Sequence, residues 1–326
     1  MRSDLKTQGL FRVDTPAKIT LHLEILGRLE NGYHEVELVL APVSIFDSIF
    51  LLQKQDPSGL SLEIEQAQPS RALPENRAPQ IAVPQNPEQN LAGRAARAYG
   101  SAVGAPINMH LRLRKRIPAG AGLGGGSGNA GGMLTLLNRR DGHPLSPGRV
   151  KDLALELGAD VPFFLNPRPV LARGIGEKLL PLDGLPRLEL LVAMPGFSIS
   201  TAEAYGLAGE NLDRPGAASS RRPMAQRPWP PGTAPRPEQL AGTLFNRFEA
   251  VLFPRHPELG AIKERLLAAG ALGASLSGSG SALFGIFRDA QARDGALATL
   301  APEAARRQWT LFPCHTLSRH RYDLIF

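Results

Sequence analysis

The sequence predicts two joined α/β or α+β lobes, and three observations carry that reading. Its 326 residues exceed the usual size of one domain, and 43% hydrophobic residues suffice for two packed interiors. Stretches with two-residue apolar alternation are interspersed with stretches of helical spacing. One strand-like stretch runs straight into a glycine-dense turn that opens a helix.

Within 17–27, Ile19, Leu21, Leu23 and Ile25 alternate with Lys18, Thr20, His22 and Glu24, the period of a half-buried strand, so Lys18, Thr20 and His22 share a face. Glu30-Asn31-Gly32 reads as a tight turn before a second apolar run, Val36 to Val43. Asn86-Pro87-Glu88-Gln89 offers a cap residue, a proline for the first helical position and a glutamine three residues after the cap. It predicts a helix start there, with Leu91, Ala95, Ala98, Tyr99 and Ala102 on one face. Ile107, Met109, Leu111 and Leu113 alternate with polar residues in the next strand. Met133 to Asn138 reads as helix, and Ser146-Pro147 opens another, with Val150, Leu153, Ala154 and Leu157 on one side and Gly158 as its stop.

Ala159 to Leu165 reads as a strand or extended segment, which puts Asp160 just past a helix end. From Gly206 to Pro237 the composition shifts to Pro, Gly, Ser and Arg without periodicity, the mark of a flexible insertion. Leu259, Ile262, Leu266 and Leu267 then give a helix ending at Gly270. A second small-residue turn, Ser277-Gly278-Ser279-Gly280-Ser281, leads into the apolar run Ala282 to Phe287.

A formal charge of +7 would suit a polyanion, yet the basic residues are scattered and only four Tyr and two Trp are available for stacking. No nucleic-acid partner is expected; were there one, the Arg-rich insertion and the stretch from Arg306 to Arg321 would hold it. Met1 to Val13 contains no continuous apolar stretch, and Leu38 to Leu52 is broken by Pro42 and Asp47 and too short for a bilayer. A cytoplasmic protein without a membrane partner is expected; oligomeric state is not legible. The single cysteine, Cys314, excludes an internal disulfide and reads as a buried or bystander thiol.

Six glycines occupy the nine positions from Gly120 to Gly128. Main-chain N–H groups can close on phosphate oxygens only where side chains are absent, and a helix start is electropositive, so this turn predicts phosphate binding. Gly120, Gly122 and Gly125 satisfy the dinucleotide fingerprint, but the acid it needs, Asp141, lies in the turn-like stretch Arg139-Arg140-Asp141-Gly142 rather than at a strand end. A P-loop needs a lysine before its Ser/Thr, and Gly126 precedes Ser127.

Seven short blocks fall in order along the chain: Pro16-Ala17-Lys18-Ile19, Gly32-Tyr33-His34, Gly122 to Ser127, Leu157 to Pro162, Gly174 to Glu177, Pro195 to Thr201 and Ser277 to Gly280. Together they resemble the GHMP kinase superfamily, and within it the branch that acts in the non-mevalonate isoprenoid pathway. That branch phosphorylates the tertiary 2-hydroxyl of 4-diphosphocytidyl-2-C-methyl-D-erythritol from ATP. The resemblance implies the two-lobed α+β GHMP fold. Its ATP-binding lobe, 1–166, is like ribosomal protein S5, and its ferredoxin-like lobe, 167–326, carries the insertion at about 206–237.

The resemblance also implies roles. Lys18 and Asp160 match the catalytic pair, the carboxylate accepting the hydroxyl proton while the ammonium offsets developing negative charge. Pro118, Gly120, Gly122, Leu123, Gly124, Gly125, Gly126 and Ser127 match the phosphate-binding turn, with Ser127 placed to meet a Mg²⁺ ion bridging the phosphates. Tyr33, His34 and Tyr205 match the cytosine site, two rings enclosing the base and the imidazole meeting its edge. Gly278, Ser279 and Gly280 match the active-site floor.

Thr20 stands where the family commonly has Asn. Gly128, Gly131 and Gly132 stand where it has Ser or Ala, which should loosen the helix start by roughly 1 kcal/mol per change. The alternatives are another GHMP small-molecule kinase and a nucleotide-binding, non-catalytic paralogue.

Overall fold

Two long antiparallel strands organise the molecule: β1 (Leu10–Arg28) and β2 (His34–Gln53), paired from Leu10↔Leu52 to Arg28↔His34. The computed structural model describes residues 10–30, 32–54, 59–66, 83–105, 107–212, 228–230 and 232–322. Asn31 of the predicted turn, the first nine residues and 213–227 of the predicted insertion lie outside the described residues.

Around this pair, in chain order, come β3 (Ser61–Gln66), α1 (Leu91–Val103), β4 (Met109–Lys115), α2 (Gly125–Arg140) and α3 (Pro147–Leu157). Then follow β5 (Val170–Arg173), β6 (Lys178–Pro181), β7 (Glu189–Met194), α4 (Thr201–Leu212), α5 (Pro237–Ala241) and β8 (Phe245–Asn246). The last are α6 (Glu249–Leu252), α7 (Pro257–Ala268), β9 (Gly273–Leu276), β10 (Leu283–Phe287), α8 (Ala290–Arg307) and β11 (Thr310–His315). The first sheet runs β3-β4-β2-β1-β8, with β5 pairing β2 and β6 pairing β5. The second runs β11-β7-β10-β9, all antiparallel. With α7 and α8 against it, this is the split βαβ of a ferredoxin-like lobe. Thus β5, β6 and β8, all beyond residue 166, return to the first sheet.

Helices α1 to α3 cover one face of the first sheet around Ile49, Leu51, Tyr99, Leu111 and Met133. The other face meets the second sheet in apolar clusters that mix β1 and β2 residues with those of β7 and β10. β1 is therefore buried on both faces, and the half-buried reading is corrected: Lys18, Thr20, His22 and Glu24 are 5%, 1%, 6% and 0% exposed. A carboxylate is held at such depth only by a partner, and Arg247 donates to both Glu24 oxygens at 2.7 and 2.6 Å.

Local signals placed α3 well, from the Ser146 cap, whose hydroxyl accepts from Arg149 N, to Gly158. The start of α1 differs. Asn86 makes a preceding turn through Glu88 N, and Asn90 is the cap, accepting from Ala92 N, because two Asn residues four apart compete for the same role. Ala159 to Leu165 is a 3₁₀ turn over Val161–Leu165 rather than a strand. The predicted insertion is bounded by structure: α4 covers its first residues, and Trp229 is buried with its indole N–H on the Asp183 carbonyl.

Glycines run through the first half of α2, which begins at Gly125. They let it lie against its neighbours. A Cβ at Gly131 would sit 2.7 Å from Phe164 Cβ and 3.0 Å from the Phe164 backbone, and one at Gly132 would sit 2.3 Å from Thr15 Cγ2. Thr15 cannot turn away freely, since its hydroxyl is bonded to Asn129. Gly131→Ala is expected to lower Tm, because overpacking costs about 1–3 kcal/mol while helix propensity returns about 1. Gly295→Ala on exposed α8, with nothing within 4 Å, is expected to raise it. Thermal melts of both variants check the pair; an increase for Gly131→Ala would show that the close approach is not limiting.

Candidate active site

One cavity of about 1060 Å³ is lined by Lys18, Thr20, Tyr33, His34, Asp160 and Tyr205. Pro118, Gly120, Gly122, Gly124, Gly125, Gly126 and Ser127 also face it, as do Gly278, Ser279 and Gly280. Leu123 differs from its neighbours. Its side chain is fully buried, and its carbonyl accepts from Lys18 N at 2.9 Å, tying the turn to β1.

The turn reaches the cavity because β4 delivers it there and α2 begins immediately after. Gly124 caps α2 with no side-chain hydrogen bond. The first N–H groups of a 16-residue helix are therefore open at its electropositive end. Ser127 lies in the first turn of α2, whose cap is Gly124. The second glycine turn lies directly on the first: Ser277 Oγ donates to the Gly122 carbonyl at 3.0 Å, and Ala282 N donates to the Ala121 carbonyl at 3.1 Å. Asn246 holds that floor from behind, donating to the Leu276 and Gly278 carbonyls at 2.8 and 2.9 Å.

Lys18 touches both turns. Its stem lies 3.1 Å from where a Cβ on Gly124 would stand, and its Nζ 3.0 Å from one on Gly278. Nζ also donates to Thr20 Oγ1 at 3.1 Å. Burial lowers the Lys18 pKa, and the Asp160 carboxylate partly opposes that shift. Asp160, half-buried, heads the 3₁₀ turn and acts in the same way on Tyr205. There burial pushes the phenol up and the nearby negative charge adds to it. The Tyr205 ring stacks on His34, centroids 5.0 Å apart at 27°, and meets Phe248 edge-on. Tyr33, by contrast, is 59% exposed. Proximity thus runs from glycine turns to Lys18, to Asp160, to Tyr205 and His34.

Sequence reading missed three supports. Lys115 lines the cavity and is paired with the fully buried Asp47, whose other oxygen accepts from Arg116 N and Ile117 N at 2.7 and 2.8 Å. An acid interrupting the apolar run Leu38 to Leu52 was the visible signal. Arg28, exposed at the rim, and Asn246 carried none.

Residues 90–167 match the model of the GHMP kinases N terminal domain, and 235–306 match GHMP kinases C terminal. The fold is that of a GHMP kinase. A homoserine kinase from Cytophaga hutchinsonii superposes with a TM-score of 0.67 over 98% of each chain at 16% identity, which speaks for the fold alone. A crystal structure of 4-(cytidine 5'-diphospho)-2C-methyl-D-erythritol kinase superposes with a TM-score of 0.68 at 32% identity, covering 94% of this chain and 98% of that one. The 4-diphosphocytidyl-2-C-methyl-D-erythritol kinase of Symbiobacterium thermophilum is 38% identical over 302 residues, 92% of this chain and 98% of the relative. That of Solidesulfovibrio magneticus is 38% identical over 308, 89% and 93%. The chain belongs to the 4-diphosphocytidyl-2-C-methyl-D-erythritol kinase family. No described helix is long and apolar enough to cross a membrane.

Proposed function

We propose that this chain transfers the γ-phosphate of ATP to the 2-hydroxyl of 4-diphosphocytidyl-2-C-methyl-D-erythritol, in the cytoplasm, as a step of non-mevalonate isoprenoid synthesis. The observation that carries the reading is the convergence of Lys18 and Asp160 with two glycine turns in one cavity that also holds Tyr33, His34 and Tyr205. The division of labour we propose follows the chain, 1–166 holding ATP and 167–326 completing the site.

The triphosphate lies along the open N–H groups at the start of α2. Asp160 accepts the proton of the substrate hydroxyl as its oxygen forms a bond to the γ-phosphorus and the bond from that phosphorus to ADP breaks. Lys18, desolvated and beside Asp160, stabilises the charge that gathers on the transferring group. Among the described residues no cluster of three His, Cys, Asp or Glu forms a protein cage for a metal. The Ser127 hydroxyl with ATP's own phosphates suits Mg²⁺, which typically takes one or two protein oxygens. Bound there, Mg²⁺ supplies charge neutralisation to the phosphates.

Cytosine stacks on Tyr33. A base entering between Tyr33 and Tyr205 displaces His34 from its stack and frees the imidazole to bond the base edge. Tyr33→Ala is expected to raise KM for the cytidyl substrate roughly tenfold with kcat little changed, the usual worth of one stacked base. The decisive assay is coupled ADP release with the diphosphocytidyl substrate beside mevalonate, homoserine and galactose. Turnover of one of the latter alone would reject the substrate assignment.

A further inference from the structure

We infer that Tyr322, on the segment that follows β11, is a positioning residue for the phosphoryl transfer: it pins the turn that presents Asp160. This rests on the role proposed for Asp160. After β11 the chain crosses back over the first sheet. Thr316 N donates to the Leu188 carbonyl at 3.1 Å, Leu317 N to Pro42 at 2.8 Å, and His320 N to Pro167 at 2.8 Å. The His320 ring reaches the Asp14 carbonyl at 2.9 Å, and Arg139 of α2 donates to the Tyr322 carbonyl at 3.1 Å. The strap thereby touches β1, β2, α2 and the exit of the 3₁₀ turn, each of which lines or carries the site.

At its end Tyr322 is 6% exposed, with its ring edge-on to His320 and its hydroxyl donating to the Phe164 carbonyl. Phe164 sits four residues after Asp160 in the turn. It is also the residue onto which the glycine face of α2 closes. Its ring lies 2.7 Å from a Cβ on Gly124 and 3.4 Å from one on Gly128, and its Cβ 2.7 Å from one on Gly131. The same Gly124 position meets the Lys18 stem at 3.1 Å. Phe164 is thus the wedge between the phosphate turn, Lys18 and the Asp160 turn, and a hydrogen bond from a buried phenol fixes its backbone. A 3₁₀ turn leaves carbonyls free at its end, and this one lies where water cannot reach it.

Tyr322→Phe removes one oxygen and leaves the ring. With kcat normalised to the stoichiometry of ATP binding, it is expected to fall about tenfold while KM for ATP stays within twofold, since a small misplacement of a reacting group slows chemistry without weakening the ground state. Its alkaline limb is expected to move to lower pH. Asp160 is the charged group that holds up the Lys18 pKa, and Thr20 and the Gly278 turn, which also face Nζ, carry no charge. Arg139→Met, loosening the same anchor, is expected to give a smaller change in the same direction. A Tyr322→Phe enzyme with wild-type kcat and an unmoved pH profile overturns the inference. So does a fall in kcat matched by lost ATP-binding stoichiometry, which marks a purely structural role. Asp160→Asn, assayed in parallel, separates the two readings: full activity there would remove the catalytic proposal itself.

Discussion

Asp160→Asn is expected to lower kcat by roughly 10²–10⁴-fold, the usual contribution of a positioned base, while leaving ATP affinity within about threefold. The amide keeps the shape of the turn but cannot take the hydroxyl proton, and in the proposed site the nucleotide is held by main-chain donors of a different element. Coupled ADP release and calorimetric ATP titration check the two halves; normal turnover in the variant would remove Asp160 from the reaction. Lys18→Met is expected to match it in lost turnover and to differ in stability. Burial lowers the Lys18 pKa in the folded chain below its unfolded value near 10.4. The folded state then binds fewer protons between those two values, so stability rises with pH across that window and the penalty is complete below it. Methionine removes the penalty. The variant is expected to melt at a higher temperature than the parent at pH 7, with the advantage shrinking as pH climbs through the lowered pKa.

What the sequence revealed and what it hid follow the range of the interactions. Helix α3 was legible because its signals, Ser146 with Pro147 and then Gly158, act within a turn of where they stand. The alternation of β1 was legible too, but its polar face reads as solvent-facing unless one knows that Arg247 reaches Glu24 from 223 residues away. Glycine density marked the turn that enters the cavity, but not what the glycines a few residues further on are packed against. Gly131 and Gly132 look like weak helix formers until Phe164 and Thr15 are seen in the space a methyl would need. The Asp47 to Lys115 pair spans 68 residues across two strands, and only the incongruous acid in an apolar run hinted at it. The ordered blocks carried the family without any of this geometry, since they record which residues meet rather than how.

Gly122→Ala is expected to be the most damaging single methyl in the chain's glycine run. Gly122 holds a φ of +73°, which costs an alanine about 1–2 kcal/mol in the left-handed region. Its Cβ would also lie 2.0 Å from the Ser277 carbonyl oxygen and 3.0 Å from that of Gly280. Neither obstacle is a side chain that can rotate aside. Both belong to the floor turn that Asn246 clamps through Gly278 and that Ser277 Oγ ties back to Gly122 itself. Relief requires the two turns to part, and with them the N–H groups of α2 and the contact of Lys18 with both. ATP affinity is expected to fall at least about 100-fold, equivalent to ~3 kcal/mol, and the melting temperature to drop as well. Four residues on, Gly126 offers the control: a Cβ there meets only the Leu91 Cδ1 methyl at 3.2 Å, on a side chain that can yield. Gly126→Ala is expected to keep both the fold and most of the affinity. ATP titrations and melts of the two variants rank them. Should Gly126→Ala be the worse, the triphosphate rather than the packing of turn on turn would be the tighter constraint at this site.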